Sequence, residues 1–137
     1  MPENTKVELG FNRIARLNGL DDLARLLFPG NRNHQRIFLA IFLELKYAED
    51  GYLPSLNFIA RKYQVSPRSL QRVRAKSRKL GLIDHISRFN AKLGYREGWI
   101  LSTRFELSLN NLSNKVVTFK NRQDARKQKD WDCLCYI

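Results

Sequence analysis

Apolar residues recur at helical spacing along residues 31–49, and this pattern predicts the longest helix in the N-terminal half of the chain. Ile37, Ile41 and Leu45 share one face of that helix, and further apolar side chains widen the stripe almost around it. A helix with so wide an apolar surface must be covered on more than one side. The expected cover is a helical arm formed by residues 1–30, or a second copy of the chain.

The next two helices are predicted over residues 55–63 and Pro67–Leu80. Both ends of the second helix are marked in the sequence. Ser66 is a favoured N-cap residue, proline is favoured in the first turn, and Gly81 suits the left-handed position that follows a helix. In this interpretation three helices precede any strand, and the third carries a cationic face opposite its apolar stripe.

Two strands are predicted at residues 82–87 and 99–105, which are rich in aliphatic, aromatic and β-branched residues. A polar and basic hairpin tip at residues 88–98 joins them. Trp99 and Phe105 are expected to be core residues of the second strand. The fold class is therefore α+β, with a three-helix core followed by a β-hairpin.

The charge balance indicates a polyanionic partner for this domain. The chain has 25 Lys and Arg residues against 13 Asp and Glu residues, which gives a formal net charge of +12 and a pI of about 10.2. Residues 61–96 hold 11 basic residues and one acidic residue, Asp84. Solvated surfaces ordinarily mix both signs, so this clustering favours a nucleic acid.

Four short segments resemble the signature of the GntR-type winged-helix domain without gaps over residues 53–83: Leu53-Pro54-Ser55, Ile59-Ala60, Val65-Ser66 and Leu80-Gly81-Leu82-Ile83. The resemblance implies a winged helix-turn-helix whose recognition helix follows Ser66 and enters the major groove of DNA. Gln64 replaces a turn glycine of that family, Leu56 and Asn57 replace a Glu-Arg pair, and Pro67 replaces an arginine. The family's effector domain is missing, so no small-molecule effector is predicted.

The predicted divisions are a helical arm at residues 1–30, a winged-helix domain at residues 31–110 and a basic extension at residues 111–137. Within the extension, the pattern favours a last strand over residues 115–119 and a basic, weakly amphipathic helix over residues 121–132.

The candidate DNA contacts fall into three groups. The first two turns of a recognition helix reach base edges, which predicts base readout by Arg68, Ser69, Gln71 and Arg72. Contacts with the phosphate backbone are predicted for Ser55, Asn57, Ser66, Lys76 and Lys79. The hairpin wing is predicted to touch the backbone or the minor groove through Arg88, Asn90, Lys92, Tyr95 and Arg96.

Catalysis is not predicted, because the sequence has no Gly-rich phosphate loop, no nucleophile elbow and no set of metal-binding carboxylates. Cys133 and Cys135 lack a second pair of zinc ligands, and no cofactor is expected. His34 and His85 are isolated and are interpreted as structural or surface residues. The longest apolar run, residues 37–45, is too short for a bilayer span, and the N-terminus has no signal-peptide pattern. A cytoplasmic, nucleoid-associated protein without a membrane partner is expected.

The predicted function is sequence-specific binding of double-stranded DNA, most simply as a transcriptional regulator. A replication or maintenance protein of a plasmid, phage or integrated element is the alternative, and an RNA-binding protein is a further one. A homodimer is expected, with an interface built by residues 20–27, residues 36–45 and the C-terminal tail. Its two-fold symmetry would require a palindromic site with half-sites about one or two helical turns apart.

Overall fold

The computed structural model describes residues 5–90, 94–122 and 127–136, with the backbone alone at residues 88–90 and 94–96. These residues form seven α-helices, three strands and one short 3₁₀ helix: α1 Phe11–Ala15, α2 Leu20–Leu27, α3 Arg32–Lys46, β1 Tyr52–Leu53, α4 Phe58–Lys62, α5 Pro67–Leu80, β2 Ile83–Asn90, β3 Gly94–Leu101, α6 Arg104–Phe119, α7 Lys127–Asp132 and the 3₁₀ helix Cys133–Tyr136. The chain divides into two units, Met1–Phe105 and Glu106–Ile137. The fold class is α+β, as the sequence predicts.

Helix α3 lies at the centre of the first unit. Its N-cap is Asn31, whose side chain accepts a hydrogen bond from the His34 N–H at 3.0 Å. Helices α2 and α5 pack against it, and Ile37, Phe38 and Ile41 are completely or almost completely buried. The predicted need for cover on more than one side is confirmed, and the cover comes from α2 and α5 of the same chain. The apolar surface of residues 36–45 is therefore mostly used within the chain.

The three strands form one antiparallel sheet in the order β1-β3-β2. Strand β1 lies between α3 and α4, so the prediction that the three core helices, now α3, α4 and α5, all come before any strand is wrong. Tyr52 pairs with Ile100, and Leu53 pairs with Trp99. The close approach of β1 depends on Gly98, because a Cβ atom there would lie 2.5 Å from the Leu53 carbonyl oxygen. Such a two-residue strand has no sequence pattern of its own.

Two predicted elements are wrong in the C-terminal part of the chain. The predicted strand over residues 115–119 is the last part of the helix α6, and Phe105 lies in the first turn of that helix rather than in a strand. Trp99 does lie in β3, and both aromatic rings pack partly buried against the core. The predicted domain boundary after residue 110 falls inside α6. Among the residues described, no helix has both the length and the apolar character that a bilayer crossing requires.

The connection between α4 and α5 is tight and uses a left-handed residue. Helix α4 is shorter than predicted, because residues 55–57 form a turn in which the Asn57 N–H donates to Ser55 Oγ at 3.1 Å. The helix ends at Lys62, and two residues later Gln64 has a φ of 56°. The next N–H, of Val65, donates to the Ala60 carbonyl at 2.9 Å. Gln64 thus adopts a left-handed backbone conformation that glycine favours.

We expect Gln64→Gly to stabilise the protein by about 0.5–1 kcal/mol, because glycine adopts a positive φ without the steric cost that a Cβ atom brings. The gain would appear as a higher midpoint of urea unfolding with an unchanged slope. Gln64→Ala is the matched control, since alanine keeps the Cβ atom, and it should give no gain. A lower midpoint for the glycine variant would contradict the strain assigned to this turn.

Candidate nucleic-acid interface

Helix α5 is held to the core along its inner face. Leu70, Val73 and Ser77 are buried there, and Val73 is completely inaccessible. Ser66 Oγ accepts a hydrogen bond from the Ser69 N–H at 3.0 Å, and Gly81 ends the helix with a φ of 87°. The Leu82 N–H donates to the Ser77 carbonyl at 2.9 Å and completes the C-terminal cap. The bounds predicted for this helix and both of its caps are confirmed.

The N-terminal half of α5 presents polar and cationic side chains to solvent. Arg68, Gln71 and Arg72 are exposed, and Ser69 is half-buried beside its cap. No acidic residue occurs anywhere in α5. The four residues predicted for base readout thus lie in the first two turns of a helix whose opposite face is fixed. That arrangement can present hydrogen-bond donors to a ligand without any rearrangement of the backbone.

Arg72 lies close to the N-terminal end of α3. Burial lowers the pKa of His34, and the positive charges of Arg72 and then Lys76 lower it further. The edge of the His34 ring faces Phe28, with 6.4 Å between the ring centroids. His34 therefore favours the neutral form, and the positive charge at this point of the surface belongs to Arg72.

Lys76 was predicted to contact phosphate, and the structure contradicts this prediction. Its side chain is only 6% exposed, and Nζ lies 4.5 Å from the centroid of the Phe28 ring. Nζ also donates a hydrogen bond to the Lys6 carbonyl oxygen at 2.6 Å. Burial lowers the pKa of Lys76. Lys76 fastens the N-terminal arm to α5 and is not available to an external ligand, whereas Lys79, one turn later on the outer face, is exposed.

Two arginines that were not predicted as contacts stack on a tryptophan beside α5. The guanidinium carbons of Arg74 and Arg78 lie 5.3 Å and 6.0 Å from the centroid of the Trp99 ring. We call these three residues the Trp99 shelf. Arg74 Nη1 also donates to Asn57 Oδ1 at 3.3 Å, and the His85 ring meets the Trp99 ring edge-on at a centroid distance of 4.8 Å. The shelf holds two cations in fixed positions between α5 and the sheet.

A groove in the surface runs along the Trp99 shelf and is lined by Gln71, Arg74, Ala75, Arg78, Lys79, Asp84, Trp99 and Arg104. Its acidic residue, Asp84, forms an ion pair with Arg104, whose Nε lies 3.2 Å from Oδ2. The hydrogen bonds from Arg104 are the main cause that lowers the pKa of Asp84. Arg104 also donates to the Arg78 carbonyl at 3.1 Å. The carboxylate is thus neutralised locally, and the groove keeps the positive character of the arginines and the lysine.

Of the residues predicted before α5, Ser55 and Asn57 lie just before α4, and Ser66 is the N-cap of α5. Ser55, Asn57 and Ser66 are all exposed, and each already takes part in a local hydrogen bond as an acceptor or a donor. The basic residue Lys62 of α4 is directed elsewhere, because its Nζ lies 2.6 Å from Glu44 Oε1 on α3. Hydrogen bonds from Lys62 and Tyr63 lower the pKa of Glu44. These bonds connect α3 with the C-terminal end of α4.

The hairpin formed by β2 and β3 is long enough to project as a wing. Its register pairs Arg88 with Arg96, Phe89 with Tyr95, and Asn90 with Gly94. The backbone thus brings Arg88, Asn90, Tyr95 and Arg96 together near the end of the hairpin. Lys92, the fifth residue predicted for the wing, lies outside the described residues. Toward the hairpin tip the strands were predicted too short, with ends at residues 87 and 99. In the structure β2 and β3 continue into the polar tip.

Cys133 and Cys135 are exposed free thiols, and in the described part of the chain no three histidine, cysteine or acidic side chains come together as metal ligands would. Comparison of the chain with protein-family models, with curated proteins and with solved structures finds no match.

The spacing of two arginines in the sequence could have indicated the Trp99 shelf. Arg74 and Arg78 are four residues apart and therefore neighbours on one side of α5. On a helical wheel this side of α5 is only a flank of the cationic face. It becomes one wall of a groove because the sheet places Trp99 beside it. Lys76 lies on the opposite flank, where the N-terminal arm covers it.

Proposed function

We propose that this protein binds double-stranded DNA as a winged helix-turn-helix, with α4 and α5 as the helix pair and the β2–β3 hairpin as the wing. The observation that carries the proposal is the first half of α5, where Arg68, Gln71 and Arg72 project from a helix whose inner face is locked to the core. A helix of 14 residues is about 21 Å long and can lie in the major groove, which is about 12 Å wide.

Arg68 and Arg72 are the residues that would grip guanine, because the guanidinium group can donate two hydrogen bonds to O6 and N7. Gln71 can form the corresponding pair of bonds with adenine. The half-buried Ser69 would contribute a single hydroxyl contact. These four side chains give the protein a means of reading sequence, and this supports specific rather than purely electrostatic binding.

Phosphate contacts are assigned to the groove along the Trp99 shelf and to the residues just before α4 and α5. Arg74 and Arg78 are held by the ring of Trp99, so they lose less freedom than mobile side chains when they meet a phosphate. Lys79 on α5 and the exposed Ser55, Asn57 and Ser66 extend the same set. The wing residues would contact the backbone or the minor groove beyond it.

The biological role that this activity serves best is transcriptional regulation by a cytoplasmic, nucleoid-associated protein. The resemblance to the GntR-type domain over residues 53–83 supports regulation. A replication or maintenance protein of a mobile element would use the same surface. Genome-wide occupancy separates the two roles, since promoters indicate a regulator and an origin-like cluster of repeats indicates a replication factor.

The proposed function is tested by selecting a preferred site from random duplexes and then measuring its affinity by fluorescence anisotropy. We expect the selected duplex to bind about 10³-fold tighter than a random duplex at physiological salt. The same sequence as an RNA duplex or as single-stranded DNA should bind no better than the random duplex, because the A-form major groove does not admit a helix. Equal or tighter binding of RNA would overturn the proposal in favour of an RNA-binding protein.

A further inference from the structure

Helix α6 carries an apolar seam in the second unit that has no cover within the described residues of that unit. Leu109, Leu112, Val116 and Phe119 are spaced three, four and three residues apart, which is the spacing of a coiled-coil seam. Leu112 is 54% exposed, Val116 is 42% exposed and Phe119 is 66% exposed. Helix α6 contains 16 residues and is about 24 Å long, enough for two heptads.

The charges beside the seam identify the occupant that fits it. Leu109 and Val116 are a residues of the heptad, and Leu112 and Phe119 are d residues. Lys120 follows the d residue Phe119, and Glu106 has the same heptad position two heptads earlier. Lys115 occupies the position before the a residue Val116. The Lys120 N–H still donates to the Val116 carbonyl at 3.1 Å, so Lys120 continues the helical path. All three charged side chains are exposed.

We infer that α6 pairs with α6 of a second copy of this chain in antiparallel orientation. In that orientation Leu109 packs opposite Phe119 of the other copy and Leu112 packs opposite Val116 of the other copy, so all four seam residues have a partner and each pairing occurs twice. Glu106 then lies beside Lys120 of the other copy, and two-fold symmetry produces this attraction at both ends. Parallel pairing places Lys115 beside Lys120 of the other copy at two points and offers no attraction in return.

The same geometry predicts a single repulsion. Lys115 lies close to Lys115 of the other copy across the two-fold axis, at the centre of the pair. Together with the small number of seam layers, this repulsion makes the pairing weak in free solution. Two copies on one DNA molecule would pair more readily, because the DNA raises their effective concentration. The inference concerns the protein alone, so its test needs no DNA.

The test is sedimentation equilibrium of the full chain over a wide range of protein concentration. We expect a reversible monomer–dimer equilibrium for the unmodified protein. Leu112→Glu should raise the dimer dissociation constant about 100-fold or more, because it removes two leucines from the seam and introduces two charges. Asn111→Glu adds the same charge on the outer face of α6 and should leave the equilibrium unchanged. Circular dichroism of both variants verifies that the fold is intact.

Charge exchange determines the orientation. Glu106→Lys and Lys120→Glu should each weaken the dimer several-fold, and the double variant should restore it. Lys115→Gln should strengthen it. In a parallel pair Lys120→Glu would instead strengthen the dimer, because it removes a repulsion with Lys115. Strengthening by Lys120→Glu, a chain that stays monomeric at all concentrations, or a dimer that Leu112→Glu does not affect would each overturn the inference.

Discussion

The affinity of this protein for its preferred DNA duplex is expected to fall by about 10³-fold or more when salt rises from about 50 mM to about 200 mM. Each phosphate that a cation neutralises releases counterions, and binding therefore weakens as a power of the salt concentration. The groove along the Trp99 shelf supplies Arg74, Arg78 and Lys79, and the wing provides further cations. A total of about six or more phosphate contacts would give this slope.

Two lysines on α5 provide a matched pair for this measurement. Lys79→Met should lower the magnitude of the logarithmic salt slope by about one, because Lys79 lies exposed on the outer face. Lys76→Met should leave the slope unchanged, since Nζ is buried against Phe28 and bonded to the Lys6 carbonyl. A flat salt response of the unmodified protein, or an equal change in slope for both variants, would contradict the assignment of the phosphate-binding surface.

The contrast between Lys76 and Lys79 shows where sequence periodicity stops being informative. A helical wheel places both lysines near one cationic face, because it records only the direction in which each side chain leaves the helix. The contact that buries Lys76 comes from residue 6, 70 positions earlier in the chain. No local pattern encodes that approach. The same holds for Trp99, whose identity as a core strand residue was predicted but whose contact with two arginines was not.

Helix α5 was predicted with its observed bounds because its ends depend on local chemistry. Ser66, Pro67 and Gly81 each act within one turn of their own position. Helix α6 was missed because its last turn contains the β-branched residues Val116, Val117 and Thr118, which favour a strand when judged by composition. The three-four spacing of its apolar residues was the better indication of a helix, because it extends over the whole element and not only over five residues.

Replacing Arg72 with alanine is expected to weaken binding to the preferred duplex by about 10- to 100-fold, the value of a guanidinium that grips a guanine, and to weaken random duplexes much less. The reason is its exposed place in the second turn of α5, beside His34, whose pKa is lowered by burial and by the charge of Arg72. Arg78→Ala is the matched control, because it removes the same side chain 6 residues later on the same helix. It should weaken preferred and random duplexes by the same factor.

The ratio of the two affinities, rather than either affinity alone, separates reading from attraction. If Arg72 reads a base, selection from random duplexes with the Arg72→Ala variant should give a site that has lost its preference at one position and kept the others. The Arg78→Ala variant should select the unchanged site. Equal losses on preferred and random duplexes for Arg72→Ala would remove it from the readout set and leave Arg68, Ser69 and Gln71 as the side chains that can carry sequence preference on α5.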